Sequence, residues 1–209
     1  MLKYFVWAGV IVLLVVAGVF VWKTLPNASK PAGQQSAPQQ AATSTYATTT
    51  FSLVYPRDLT ADESHVYDKV NPKKPIYGVK FAVATAMATG TNLSSDTYLS
   101  VEQLPRAKKC TGDIYLAANV KPSALTENGV GYSVATSSGA AAGNLYEEMV
   151  YALSGSSPCT AVRYYIHSSN IGNYATSTVR EFDRVALLAG FDKIRQSLVL
   201  NPTVSTTTP

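Results

Sequence analysis

The side chains richest in chemistry are two cysteines, two histidines and one adjacent pair of glutamates. Cys110 and Cys159 are the only cysteines. A redox couple or a zinc knuckle needs sulfurs at C-x-x-C spacing, which these lack. In an oxidising compartment such a pair reads as one disulfide, closing a loop of about 50 residues and stabilising the fold by roughly 4 kcal/mol in the chain-entropy model. The alternatives are two buried free thiols or one reactive thiol. His65 stands in Asp62-Glu-Ser-His-Val-Tyr-Asp68, which offers oxygen and nitrogen ligands. That run lacks the glycine and regular acidic spacing of a calcium loop, and one histidine is thin for zinc. An exposed polar loop without metal is expected there. His167 precedes Ser168-Ser-Asn170, so a Ser–His–acid relay can be composed on paper, yet no G-x-S-x-G elbow accompanies it. Glu147 and Glu148 are adjacent; on a strand they point to opposite faces and cannot act as a catalytic pair. Gly139-Ala-Ala-Ala-Gly143 is followed by neither Lys-Ser nor Lys-Thr, so a turn before a strand is expected rather than a phosphate cradle. No cofactor and no metal are expected.

The elements that position these residues are mostly strands. Alternation marks Phe51 to Tyr55, Tyr77 to Val83, Tyr98 to Leu104 and, briefly, Val130 to Val134. The strongest pair is Leu145 to Leu153 and Ala161 to His167, joined by Ser154-Gly-Ser-Ser-Pro158 as a hairpin. In the second of these, Val162, Tyr164 and Ile166 should face the core. Arg163, Tyr165 and His167 should face outward, as a possible contact surface. Tyr165 and Tyr151 are candidates for stacking on a sugar or gripping a partner, against the alternative of cross-strand packing. A short helix is expected over Thr111 to Ala118. Thr178-Val-Arg-Glu181 fits a capping box, and Leu187, Phe191, Ile194 and Leu198 follow at helical spacing. Gly190 is a weak point that could split that helix. The expected fold class is α+β, an antiparallel sheet packed by helices with one at the C-terminus, preceded by one N-terminal transmembrane helix.

The net charge of +4 is no nucleic-acid footprint. Lys3, Lys23 and Lys30 account for most of it; from Phe51 onward there are 14 Lys and Arg against 13 Asp and Glu. A near-neutral domain is not suited to following phosphate backbones, so nucleic acid is excluded as a partner. Lys73-Lys74 and Arg106-Ala-Lys108-Lys109 are expected to be solvated loops rather than an anionic-ligand patch.

Tyr4 to Trp22 is a run of 19 residues without a charge. It would span roughly 28 Å as a helix, close to the hydrocarbon thickness of a bilayer. Tyr4, Trp7 and Trp22 stand toward its ends, where interfacial rings belong. It is longer than a cleaved signal's apolar core, and no cleavage-type small residues follow it. The expected organisation is a cytoplasmic stub (1–3), an uncleaved signal anchor (4–22), an unstructured Ala/Gln/Ser/Thr/Pro linker (23–50), an extracytoplasmic domain (51–200) and an unstructured tail (201–209). The flanking lysines nearly balance, so the outside placement leans on the Ser/Thr-rich spacer and the two cysteines.

Phe51-Ser-Leu-Val-Tyr-Pro56 resembles the F-x-x-x-Y-P opening of PsbP-type domains, and Phe191-Asp-Lys-Ile-Arg-Gln-Ser-Leu198 is similar to their closing helix and last short strand. The resemblance covers only those two ends. It implies an antiparallel sheet between helices and an exported accessory or binding role without catalysis. A similar resemblance, to uncharacterised bacterial membrane-anchored proteins, implies no function. The expected function is therefore a membrane-tethered binding or accessory module, held in the membrane by residues 4–22 and facing an envelope polymer or another membrane protein. The alternatives are an envelope hydrolase built on His167 with a nearby serine or acid, and a structural subunit of a surface assembly.

Overall fold

The computed structural model describes residues 42–201. The anchor expected at 4–22, the linker up to residue 41 and the tail from residue 202 lie outside the described residues. Among the described residues no helix is long and apolar enough to cross a membrane.

Folded structure begins earlier than expected. Strand β1 (Thr43–Ala47) lies inside the segment read as linker and pairs antiparallel with β2 (Phe51–Pro56). The reason is Tyr46, whose ring packs edge-on against Phe81 with centroids 5.7 Å apart. One half-buried aromatic ring, packed against the core, helps hold this short polar strand onto the sheet. β2 buries Phe51 and Leu53, the alternation expected of it, and its other edge takes β11 (Val199–Leu200), so a three-stranded sheet brings the two ends of the described segment together.

The large sheet follows the order β3-β5-β6-β10-β9-β8-β7, with β4 also on β5. Its strands are β3 (Thr60–Asp62), β4 (Val66–Tyr67), β5 (Ile76–Ala82), β6 (Tyr98–Leu104), β7 (Ser123–Glu127), β8 (Val130–Ala141), β9 (Asn144–Leu153) and β10 (Cys159–Ser169). Every pairing is antiparallel. The β9–β10 hairpin forms as the alternation requires. β8 is much longer than its short sequence signal, and Gly139 belongs to it rather than to a turn. β7 was not legible by alternation, but Asn128-Gly129, both with positive φ, form the two-residue turn that joins it to β8.

One face of this sheet is apolar. Phe81, Leu99, Val101, Val162, Tyr164 and Ile166 meet Leu187, Phe191 and Ile194 of the helix α2 (Arg184–Gln196). A shorter helix, α1 (Thr85–Ala88), buries nothing. The helical stripe is as expected, but its start is not. Asp183, not Thr178, caps α2, accepting the Ala186 amide at 2.9 Å. Residues 180–182 stay extended because they are held elsewhere: Asn92 donates its amide to the Arg180 carbonyl and accepts the Phe182 amide on its side chain. Gly190 sits within one continuous helix.

The opposite face is covered by loops. The segment expected as a helix over 111–118 is a single 3-10 turn, Gly112–Tyr115. A Cβ on Gly112 would lie 2.7 Å from the Ala135 amide nitrogen, so only glycine lets this turn rest directly on β8 and β9.

Candidate functional site

Strand register puts the chemistry on the loop-covered face. Arg163 of β10 is opposite Ser100 of β6 on one side and Val150 of β9 on the other. From there its guanidinium reaches Glu102 with two bonds of 2.9 Å each, from Nε and Nη2. Nη2 also donates to the Tyr115 carbonyl at 2.7 Å, and Nη1 donates to Glu148. The Tyr67 ring covers the guanidinium, 3.6 Å from its carbon, and the Tyr67 hydroxyl donates to Glu148. Glu102 further meets Ser100 Oγ at 2.8 Å and His65 Nε2 at 3.2 Å. Arg163 and Glu102 are both fully buried.

Burial by itself would push the Glu102 carboxyl up. The Arg163 charge and the hydrogen bonds from His65, Arg163 and Ser100 outweigh it and hold the group down at about 2. Burial likewise works against the Arg163 charge, and Glu102 more than restores it, so its pKa is raised. A carboxylate fixed this far below neutrality cannot shuttle protons at working pH. The cluster is a buried structural ion network. Two sequence expectations are corrected by it. Arg163 does lie opposite Val162 and Tyr164, but it is no surface contact, because Tyr67 and the 112–115 turn cover it. His65 is not in an exposed loop; it is 7% exposed and packed on Glu102 and Tyr98.

Further along the same face Tyr165 stacks on Tyr98 at 5.0 Å, and Lys69 Nζ lies 4.2 Å above the Tyr165 ring. Tyr165 is buried rather than outward-facing. His167 stacks on Tyr146 at 4.5 Å and meets Asp96 through Nδ1 at 2.7 Å. Its Nε2 is sealed from solvent and has no hydrogen-bond partner among the described residues. A relay would need that nitrogen against a serine hydroxyl and open to substrate; the geometry gives neither. Tyr151 belongs to the other face, against Tyr164 and the Arg195 guanidinium. Glu147 and Glu148 do diverge: Glu147 pairs with Arg184 of α2, Glu148 with Arg163. Among the described residues no cluster of three or more His, Cys, Asp or Glu could hold a metal.

Cys110 and Cys159 form a disulfide with their Cα atoms 5.1 Å apart. Cys159 opens β10 opposite Leu104, the last residue of β6. The bond therefore ties the loop after β6 back to the sheet, and that loop forms one wall of a groove of about 930 Å³ at the ends of β5 and β6. Leu104, Pro105, Ile114, Pro75 and Tyr77 make its apolar lining, with Tyr77 64% exposed. Lys74, Arg106, Lys108 and Lys109 supply its charge, and no carboxylate lines it. Sequence reasoning treated the two basic runs separately as solvated loops. The fold brings them to one groove, which no local signal announces.

No family model matches the chain, and no curated protein does. Among solved structures it is similar to the solution structure of cyanobacterial PsbP (CyanoP) from Synechocystis sp. PCC 6803, with 15% identity and a TM-score of 0.40, over 81% of this chain and 99% of that one. The likeness carries the same family name as the resemblance at the two sequence ends. It is a faint likeness of fold and brings no activity or partner with it.

Proposed function

We propose that this chain is a membrane-tethered, extracytoplasmic binding or accessory module that holds an anionic amphiphile and performs no catalysis. The observation that carries the binding role is the groove: an apolar lining beside four cations, with no carboxylate among the lining residues. Pockets of this size with a few convergent polar groups are where ligands bind. The disulfide next to Lys109 supports the placement, since such bonds persist in oxidising compartments. The uncharged run 4–22 supports the tether. Impermeant protease applied to intact cells or spheroplasts tests placement: the domain should be removed, and protection until lysis would sink the extracytoplasmic reading. Blocking reagents for free thiols give a second check, because the native chain should take up none before reduction.

A further inference from the structure

We propose that the groove at the ends of β5 and β6 holds one anionic phospholipid drawn from the bilayer, its phosphate among Lys74, Lys108 and Lys109 and an acyl chain against Leu104 and Ile114. The proposal rests on reading the chain as a membrane-tethered binding module and names the ligand of that module's groove.

Charge sets the headgroup. The groove's four cations all come from loop positions before β5 and after β6, and Lys74, Lys108 and Lys109 are exposed. With no lining carboxylate to neutralise them, they present a net positive field to whatever enters. Phosphate suits lysine as a compact anion. The lining sets the rest of the molecule. A small anion alone would leave the apolar surfaces of Pro75, Leu104 and Ile114 wet, whereas a hydrocarbon chain covers them without needing any hydrogen bond.

The topology argues against an extended peptide as occupant. Strand addition needs a free edge, and here β5 is paired with β3 and β4 on one side and β6 on the other, while β6 is paired with β5 and β10. Rigidity favours binding: the Cys110–Cys159 bond fixes the residue that follows Lys109, so less order has to be imposed on the wall when a ligand arrives.

The test uses the full chain in neutral detergent micelles, titrated with short-chain phosphatidylglycerol, short-chain phosphatidylcholine and inorganic phosphate, and followed by native mass spectrometry. One phosphatidylglycerol per chain is expected, with preference over phosphatidylcholine of about tenfold or more. Lys108→Gln with Lys109→Gln should weaken that uptake about 30-fold while leaving the disulfide and circular dichroism unchanged. Lys74→Gln, on the separate loop, should weaken it about fivefold and guards against a local folding defect in the first variant. Equal uptake of both lipids by wild type and variants would assign the lipid to the anchor and overturn the proposal. Inorganic phosphate competing as tightly as the lipid would reduce the groove to a bare anion site and also overturn it. So would displacement of the lipid by a short acidic-apolar peptide at lower concentration than the lipid itself. The placement reading fails separately: protease protection in intact cells with lipid selectivity retained refutes the outside location and leaves the groove's ligand standing.

Discussion

The two faces of the large sheet are buried by different physics. On one, α2 lays Leu187, Phe191 and Ile194 across Phe81, Leu99 and Val162, and hydrocarbon contact does the work. On the other, Arg163, Glu102, Glu148 and His65 are enclosed under Tyr67 and the 112–115 turn, and the cover is fastened by a disulfide. A helix brings its own apolar stripe, to which the pairs Arg195–Glu127 and Arg184–Glu147 add ties to the sheet. The loop cover buries Tyr67, Tyr115 and Leu116 against the sheet, and charge pairing and a covalent bond add to that contact.

Substitution at the centre of each face separates the two mechanisms most sharply. Arg163→Met strands the Glu102 carboxylate without its partner and is expected to cost about 3–5 kcal/mol in urea unfolding. Phe191→Ala on the apolar face should cost a similar amount, about 3–5 kcal/mol, through the cavity it leaves. The difference lies in rescue. Adding Glu102→Gln to Arg163→Met should recover at least about 1 kcal/mol, because the unpaired charge goes with it. If no second change on the ionic face restores stability, the cluster is not held together by charge pairing and the comparison fails.

Removing both sulfurs, as Cys110→Ala with Cys159→Ala, should lower stability by about 4 kcal/mol. Amide exchange should then rise first at Gly112 to Tyr115 and over β10's start, with α2 least affected; an even rise throughout would mean the bond does not serve the loop face in particular.

Acid should undo the ionic face at a defined place. Glu102 falls from its ordinary 4.5 to about 2 on folding. A carboxyl depressed in this way stabilises the fold fully above pH 4.5, and that stability is lost as pH drops from 4.5 toward 2. The loss from this group amounts to at most about 3 kcal/mol, and Glu102→Gln should flatten that part of the stability-against-pH curve. The smallest effect belongs to the helical face: Asp183→Ala should cost about 1 kcal/mol and speed exchange in the first turn of α2 alone.

Sequence patterns told the two faces apart without telling how the second was covered. Alternation set Val162, Tyr164 and Ile166 against Arg163, Tyr165 and His167, and that division stands in the structure. Polar residues on a strand were then read as facing water, which is wrong for Arg163 and Tyr165. The covering pieces, Tyr67 and the turn Gly112–Tyr115, carry no periodicity to announce themselves. His65 was missed for the same reason: its acidic neighbours describe a solvated loop, but its partner Glu102 stands 37 positions away. The Thr178 cap was a local signal overridden by Asn92, a distant residue that holds the chain extended.

The sequence alone determined whatever depends on near neighbours: which residues share a strand face, the stripe of α2, and the divergence of Glu147 and Glu148. These follow from the two-residue and 3.6-residue periods of the backbone. Only the tertiary structure decided that Arg163 is enclosed, that His167 Nε2 is sealed, and that Lys74 shares a groove with Arg106, Lys108 and Lys109. Those outcomes depend on contacts between segments remote in the chain, where burial and charge pairing act through space and leave no spacing to read.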